Sequence, residues 1–143
     1  MSLLALCVAW SAACGGSEVG VIDGPVLTSP PGPGDSGMAA EVRGTVEFRD
    51  GCLVLVQEDV PSAPAYPVIW PAGTTWQEDP PAVVLTGGRV VEPGTSVTGG
   101  GGYLQRDHIE AIVGSAVADA ADACTGDTGE IALFNIGSEV EVA

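Results

Sequence analysis

The sequence predicts a mainly β fold, a small barrel with a single α-helix before its last strands. Three observations predict it. Apolar and polar residues alternate from 42 to 48, the period of a strand with one buried face. Short apolar runs then recur between Gly- and Pro-containing turns as far as the C-terminus. One stretch, after residue 105, carries helical spacing instead. A chain of 143 residues has room for one such domain.

The elements follow in order. Residues 42–49 form the first strand, with Gly44 as a small member of its apolar face. Asp50-Gly51 follows, and an apolar run at 52–57 comes next. Two such runs joined by Asp-Gly make a hairpin, because Asp-Gly fits the left-handed turn that matches strand twist. The second run is continuously apolar, so both of its faces are expected to be covered. A Pro-rich excursion at 60–67 leads into a short strand at 68–70, closed by Pro71 and Gly73. Residues 83–86 and 89–91 flank Gly87-Gly88 as a second hairpin. Pro93-Gly94 gives a turn before a strand at 95–98. Gly99 to Gly102 read as a flexible or tightly bent connection. No lysine follows them, so they do not form a P-loop.

Ile109, Ile112, Val113, Ala116, Val117, Ala120 and Cys124 fall on one helical face. Asp107 with Glu110 three residues later is a capping-box-like start, and Gly126 is a stop. Gly114 and Ser115 cost helix propensity in the middle. Strands at 131–136 and 140–142 complete the domain, taken as residues 41–143.

The N-terminus has a different character. Residues 3–13 are an 11-residue apolar run. That is too short for a bilayer core, which takes about 20 residues. It fits a secretory signal peptide at 1–13, with small residues ahead of Cys14. Eleven of the 26 residues from 15 to 40 are Gly or Pro. Such a composition predicts a flexible tether at 14–40, spanning about 28 Å as a coil.

Small residues ending at Cys14 resemble the lipobox of bacterial lipoproteins. Ser11 stands where that family usually has an aliphatic residue, and no basic residue precedes the apolar run. The resemblance implies that Cys14 carries a diacylglycerol anchor, which makes the membrane a partner and the cell envelope the location. The order of short strands, one helix and last strands resembles the OB-fold, whose helix lies between strands three and four. Gly51-Cys52-Leu53-Val54-Leu55, the run from Val68 to Thr74, and Gly87-Gly88-Arg89-Val90-Val91 are similar to small lipoprotein domains of high-GC bacteria. That likeness implies location and architecture, not activity.

Cys7 falls in the expected signal, and the lipobox resemblance implies that Cys14 is the lipidation site. Cys52 and Cys124 remain as an even pair in an exported domain, which predicts a disulfide. Two cysteines and one histidine are too few for a zinc site, so no metal or cofactor is expected.

Charge excludes other classes. The chain has 19 acids, four arginines and no lysine, for a net charge of −15. A nucleic-acid partner needs a basic face that four arginines cannot build. His108, with Asp107, Glu110 or Ser115, is the one route to hydrolase chemistry, and no nucleophile elbow accompanies it. Asp119, Asp122, Asp127 and Glu130 form an acidic cluster at the helix end, where a cation such as Ca²⁺ would offset the dipole. Their spacing matches no EF-hand. Trp76, beside a loop, is a candidate ligand contact, and Trp70 and Tyr103 could serve the same purpose. The expected function is a non-catalytic binding or structural module of the envelope, with an unidentified protein or small molecule as partner. Alternatives are a hydrolase using His108 and a barrel binding a cation or small ligand.

Overall fold

The computed structural model describes residues 19–32, 37–126 and 128–143. The expected signal peptide, Cys14 and Asp127 lie outside them. The described chain forms β1 (Val21–Asp23), β2 (Val26–Thr28), β3 (Ala40–Arg49), β4 (Cys52–Val56) and β5 (Ala65–Trp70). It continues with β6 (Thr75–Glu78), β7 (Pro81–Val84), β8 (Val90–Val91) and β9 (Ser96–Gln105). The helices α1 (Arg106–Val113) and α2 (Ser115–Asp122) precede β10 (Glu130–Phe134) and β11 (Glu141–Val142).

Five strands close a barrel, as expected. Antiparallel pairs join β3 to β4 and β4 to β5. A parallel pair joins β5 to β10, and antiparallel pairs then join β10 to β9 and β9 back to β3. Closure pairs edges that would otherwise be open to other chains. The predicted first hairpin is present. Asp50 and Gly51 have φ of 51° and 81°, the left-handed pair that a two-residue hairpin turn needs. The second hairpin is present too, with Val83 opposite Val91.

Alternation along the barrel strands sorts two apolar layers. Val42, Val46, Leu53, Leu55, Val68, Trp70, Ala132 and Phe134 form one cluster. Ile69, Ile131 and Leu133, the intervening residues, pack instead with Ile109, Val113, Val117, Ala118 and Ala121 of the helices. Coverage on both faces explains why β4, β5 and β10 read as continuous apolar runs. The small sheet β6–β7–β8 sends Val83 and Val91 into the first cluster, joined by Leu85.

Four features differ from expectation. The glycines 99–102 are not a connection but the middle of β9. A Cβ on Gly101 would lie 1.9 Å from the carbonyl oxygen of Leu133, and one on Gly99 would lie 2.8 Å from the Phe134 ring. Glycine is there because neighbouring chain passes too close for a side chain.

The segment expected to be a flexible tether contributes β1 and β2. β2 pairs in parallel with β5, placing Leu27 opposite Ile69, and Val26 is fully buried in the interior cluster. Gly24 turns the hairpin with φ of 56°. Gly20 lies where a Cβ would meet the Thr28 carbonyl oxygen at 2.0 Å. These glycines serve close contacts and a turn, so composition alone misreads them.

The helical region is two helices, broken at Gly114 with φ 88° and ψ 166°. The break changes the buried face of the second half. Val117, Ala118 and Ala121 point inward, while Ala116 is exposed. The expected capping box does not form: the cap residue is Gln105, it makes no side-chain cap bond, and Asp107 lies inside the first turn. α2 stops at Asp122, ahead of Gly126.

The helices also fall between the fourth and fifth barrel strands, not between the third and fourth. The three-stranded sheet occupies the connection where the OB arrangement has its helix.

Candidate functional site

Cys52 and Cys124 form the predicted disulfide, with their Cα atoms 5.9 Å apart. Cys52 opens β4 beside the Asp50-Gly51 turn, and Cys124 follows α2. The bridge therefore fastens the end of the helical layer to the first hairpin of the barrel.

The sequence-predicted chemical residues do not converge. His108 is exposed in α1 and makes no side-chain hydrogen bond among the described residues. Ser115 is exposed at the start of α2. Asp119 accepts a hydrogen bond from Nε of Arg106 at 2.9 Å, so a guanidinium is its partner. Asp122 is exposed and Glu130 is half-buried at the start of β10. No group of three acid, His or Cys side chains fit for a metal occurs among the described residues.

The aromatic candidates are partly committed to packing. Trp76 stacks on Phe48 with ring centroids 5.8 Å apart. Its backbone N–H donates to Asp23 at 2.9 Å, and Gly24 lies against its indole. Trp76 thus pins the small sheet to β1–β2. Trp70 is fully buried and packs on Phe134, with no partner for its indole N–H. Tyr103 packs on Tyr66 at 4.7 Å and accepts a hydrogen bond from the Gln57 amide at 2.7 Å. Burial holds the Tyr66 hydroxyl above its usual pKa, helped by the nearby Glu130 charge and by Tyr103.

A cleft of about 650 Å³ lies elsewhere, between three connections. Pro71, Ala72 and Thr74 come from the β5–β6 link. Leu85 and Arg89 come from the β7–β8 hairpin, and Glu139 and Val140 precede β11, whose Glu141 completes the wall. Hydrogen bonds brace the walls. The Thr74 hydroxyl donates to the Pro71 carbonyl at 2.7 Å, and the Thr86 hydroxyl to the Ala72 carbonyl at 2.9 Å. The volume falls within the range of small-molecule sites.

Arg89 is the residue that sequence reading passed over. The other three arginines are occupied: Arg43 by Asp59 and Glu41, Arg49 by Glu47, and Arg106 by Glu110, Asp107 and Asp119. Arg89 makes no salt bridge among the described residues. A signal for this exists in the sequence. Arg43 and Arg49 each have a glutamate two positions earlier, on the same strand face, and Arg106 has Glu110 one helical turn on. Arg89 has Gly87 and Val91 at two residues and Leu85 and Pro93 at four.

Comparison of the chain with protein-family models, curated proteins and solved structures gives no match.

Proposed function

We propose that this chain is a cell-envelope lipoprotein, exported and anchored through Cys14, with the barrel serving as a non-catalytic binding module. The Cys52–Cys124 disulfide carries the reading, because such bonds persist in oxidising compartments outside the cytosol. The small residues ahead of Cys14 support the anchor, and the cleft beside Arg89 supplies a place for a ligand. No described helix is long and apolar enough to cross a membrane.

The ordered N-terminal hairpin sharpens the picture. Only residues 15–18 separate Cys14 from Val19. That length reaches at most about 18 Å, far less than a tether running to residue 40. The barrel then rides close to the bilayer, with Val19, Val21 and Ile22, all about half exposed or more, nearest the anchor.

Detergent partitioning of the full chain, expressed in a bacterium that processes lipoproteins, tests the anchor. The native protein is expected in the detergent phase and Cys14→Ser in the aqueous phase. Equal partitioning of the two overturns the anchor.

A further inference from the structure

We infer that the cleft beside Arg89 binds a small zwitterion of the amino-acid or short-peptide class, a step that rests on reading the barrel as a binding module. In a chain of net charge −15, Arg89 is the one arginine that no described acid neutralises. It lines the same cleft as Glu139 and Glu141, and neither glutamate is paired with it. Residues of opposite charge therefore border one cleft, the two glutamates on the rim it shares with a smaller hollow beside β3 and β9.

The lining selects among ligand classes. A simple anion such as phosphate is drawn to Arg89 but meets two carboxylates. A simple cation is drawn to the carboxylates but meets Arg89. Like-charge juxtapositions of this kind suppress wrong partners. A molecule with both a carboxylate and an ammonium satisfies both sides. The planar guanidinium accepts a carboxylate in bidentate fashion, whereas an ammonium needs only nearby carboxylate oxygens. Leu85, Val140 and Pro71 give the cleft an apolar part for an aliphatic side chain. Neither the disulfide cysteines nor His108, Asp119, Asp122 or Glu130 line this cleft.

Calorimetric titration of the full protein with alanyl-leucine tests the inference, alongside its N-acetylated and C-amidated forms. The free dipeptide is expected to bind, and each blocked form to bind at least tenfold more weakly. Arg89→Gln is expected to lose affinity for the free dipeptide and to become insensitive to amidation. Glu139→Gln with Glu141→Gln is expected to become insensitive to acetylation. These side chains are exposed, so the variants should fold, which circular dichroism verifies. Equal binding of all three peptides overturns the zwitterion class while leaving a binding module in place. Absence of binding by all three overturns both the ligand class and the cleft as its site. Neither result bears on partitioning of Cys14→Ser, which tests the anchor separately.

Discussion

Arg106 and Asp119 join the two helices across Gly114. The Arg106 Nε donates to Asp119 Oδ1 at 2.9 Å, and Nη1 of the same guanidinium donates to Glu110 at 3.0 Å. Both carboxylates hold the guanidinium charged, pushing its pKa above the usual arginine value. The fork answers the acidic burden of the helical region with a residue of the chain itself. It also bridges α1 and α2, which share no continuous backbone helix and whose placement the buried Ile109, Val113, Val117, Ala118 and Ala121 hold.

Gly114→Ala should destabilise the helical layer. Helix propensity alone says that alanine should stabilise the segment by about 1 kcal/mol. The observed φ of 88° and ψ of 166° say the opposite, because that region is essentially restricted to glycine and costs other residues about 1–3 kcal/mol. A Cβ there would also meet Val19 at 3.0 Å. Urea unfolding should show a lower midpoint for Gly114→Ala. A raised midpoint would mean one continuous helix.

The glycines of β9 should differ sharply from one another. Gly101→Ala sets a methyl against the Leu133 carbonyl oxygen, a backbone atom that cannot step aside. Overpacking of this kind costs about 1–3 kcal/mol or more. At Gly100 the nearest atom is the Asn135 amide nitrogen at 3.3 Å, and the residue is exposed. Gly100→Ala should therefore be close to neutral. Thermal melts of the two variants check the contrast, and equal melting temperatures would contradict the close crossing at Gly101.

Reducing the disulfide should lower stability by roughly 4 kcal/mol in the chain-entropy account, given a loop of 72 residues. Urea titrations with and without reductant measure it. Cys52→Ser with Cys124→Ser should reproduce the reduced midpoint and stop responding to reductant.

Tyr66 gives a pH dependence. Its folded pKa is raised, so the folded state binds the phenolic proton more tightly than the unfolded chain does. That contribution is fully present below the ordinary tyrosine pKa of about 10 and is lost as pH rises through the folded value. Stability should therefore fall above about pH 10, and less steeply in Tyr66→Phe. Parallel alkaline slopes for the two proteins would show that Tyr66 does not carry the effect.

What the sequence made legible was what side chains announce. The hairpin at Asp50-Gly51 was readable because alternation and a left-handed turn pair coincide there. The doubly covered β4 was readable from its continuous apolar run. Gly99 to Gly102 were not, because a strand without side chains has no period to detect. The need for glycine at Gly99 and Gly101 resides in Phe134 and Leu133, more than 30 residues away. The pair β1–β2 was masked by Gly and Pro counts, although Val26 and Leu27 are the apolar residues that hold it. The Gly114 break was visible only as a propensity cost, since a backbone angle leaves no mark on composition. The cleft joins connections from three parts of the chain, and only the lack of an acid two or four residues from Arg89 hinted at it.

Intact mass of the protein extracted from bacterial membranes reads anchor and disulfide together. The expected species is a chain beginning at Cys14, heavier by a diacylglycerol-type adduct and lighter by two hydrogens for the Cys52–Cys124 bridge. A mature chain that begins elsewhere, or one that begins at Cys14 without lipid, would contradict it.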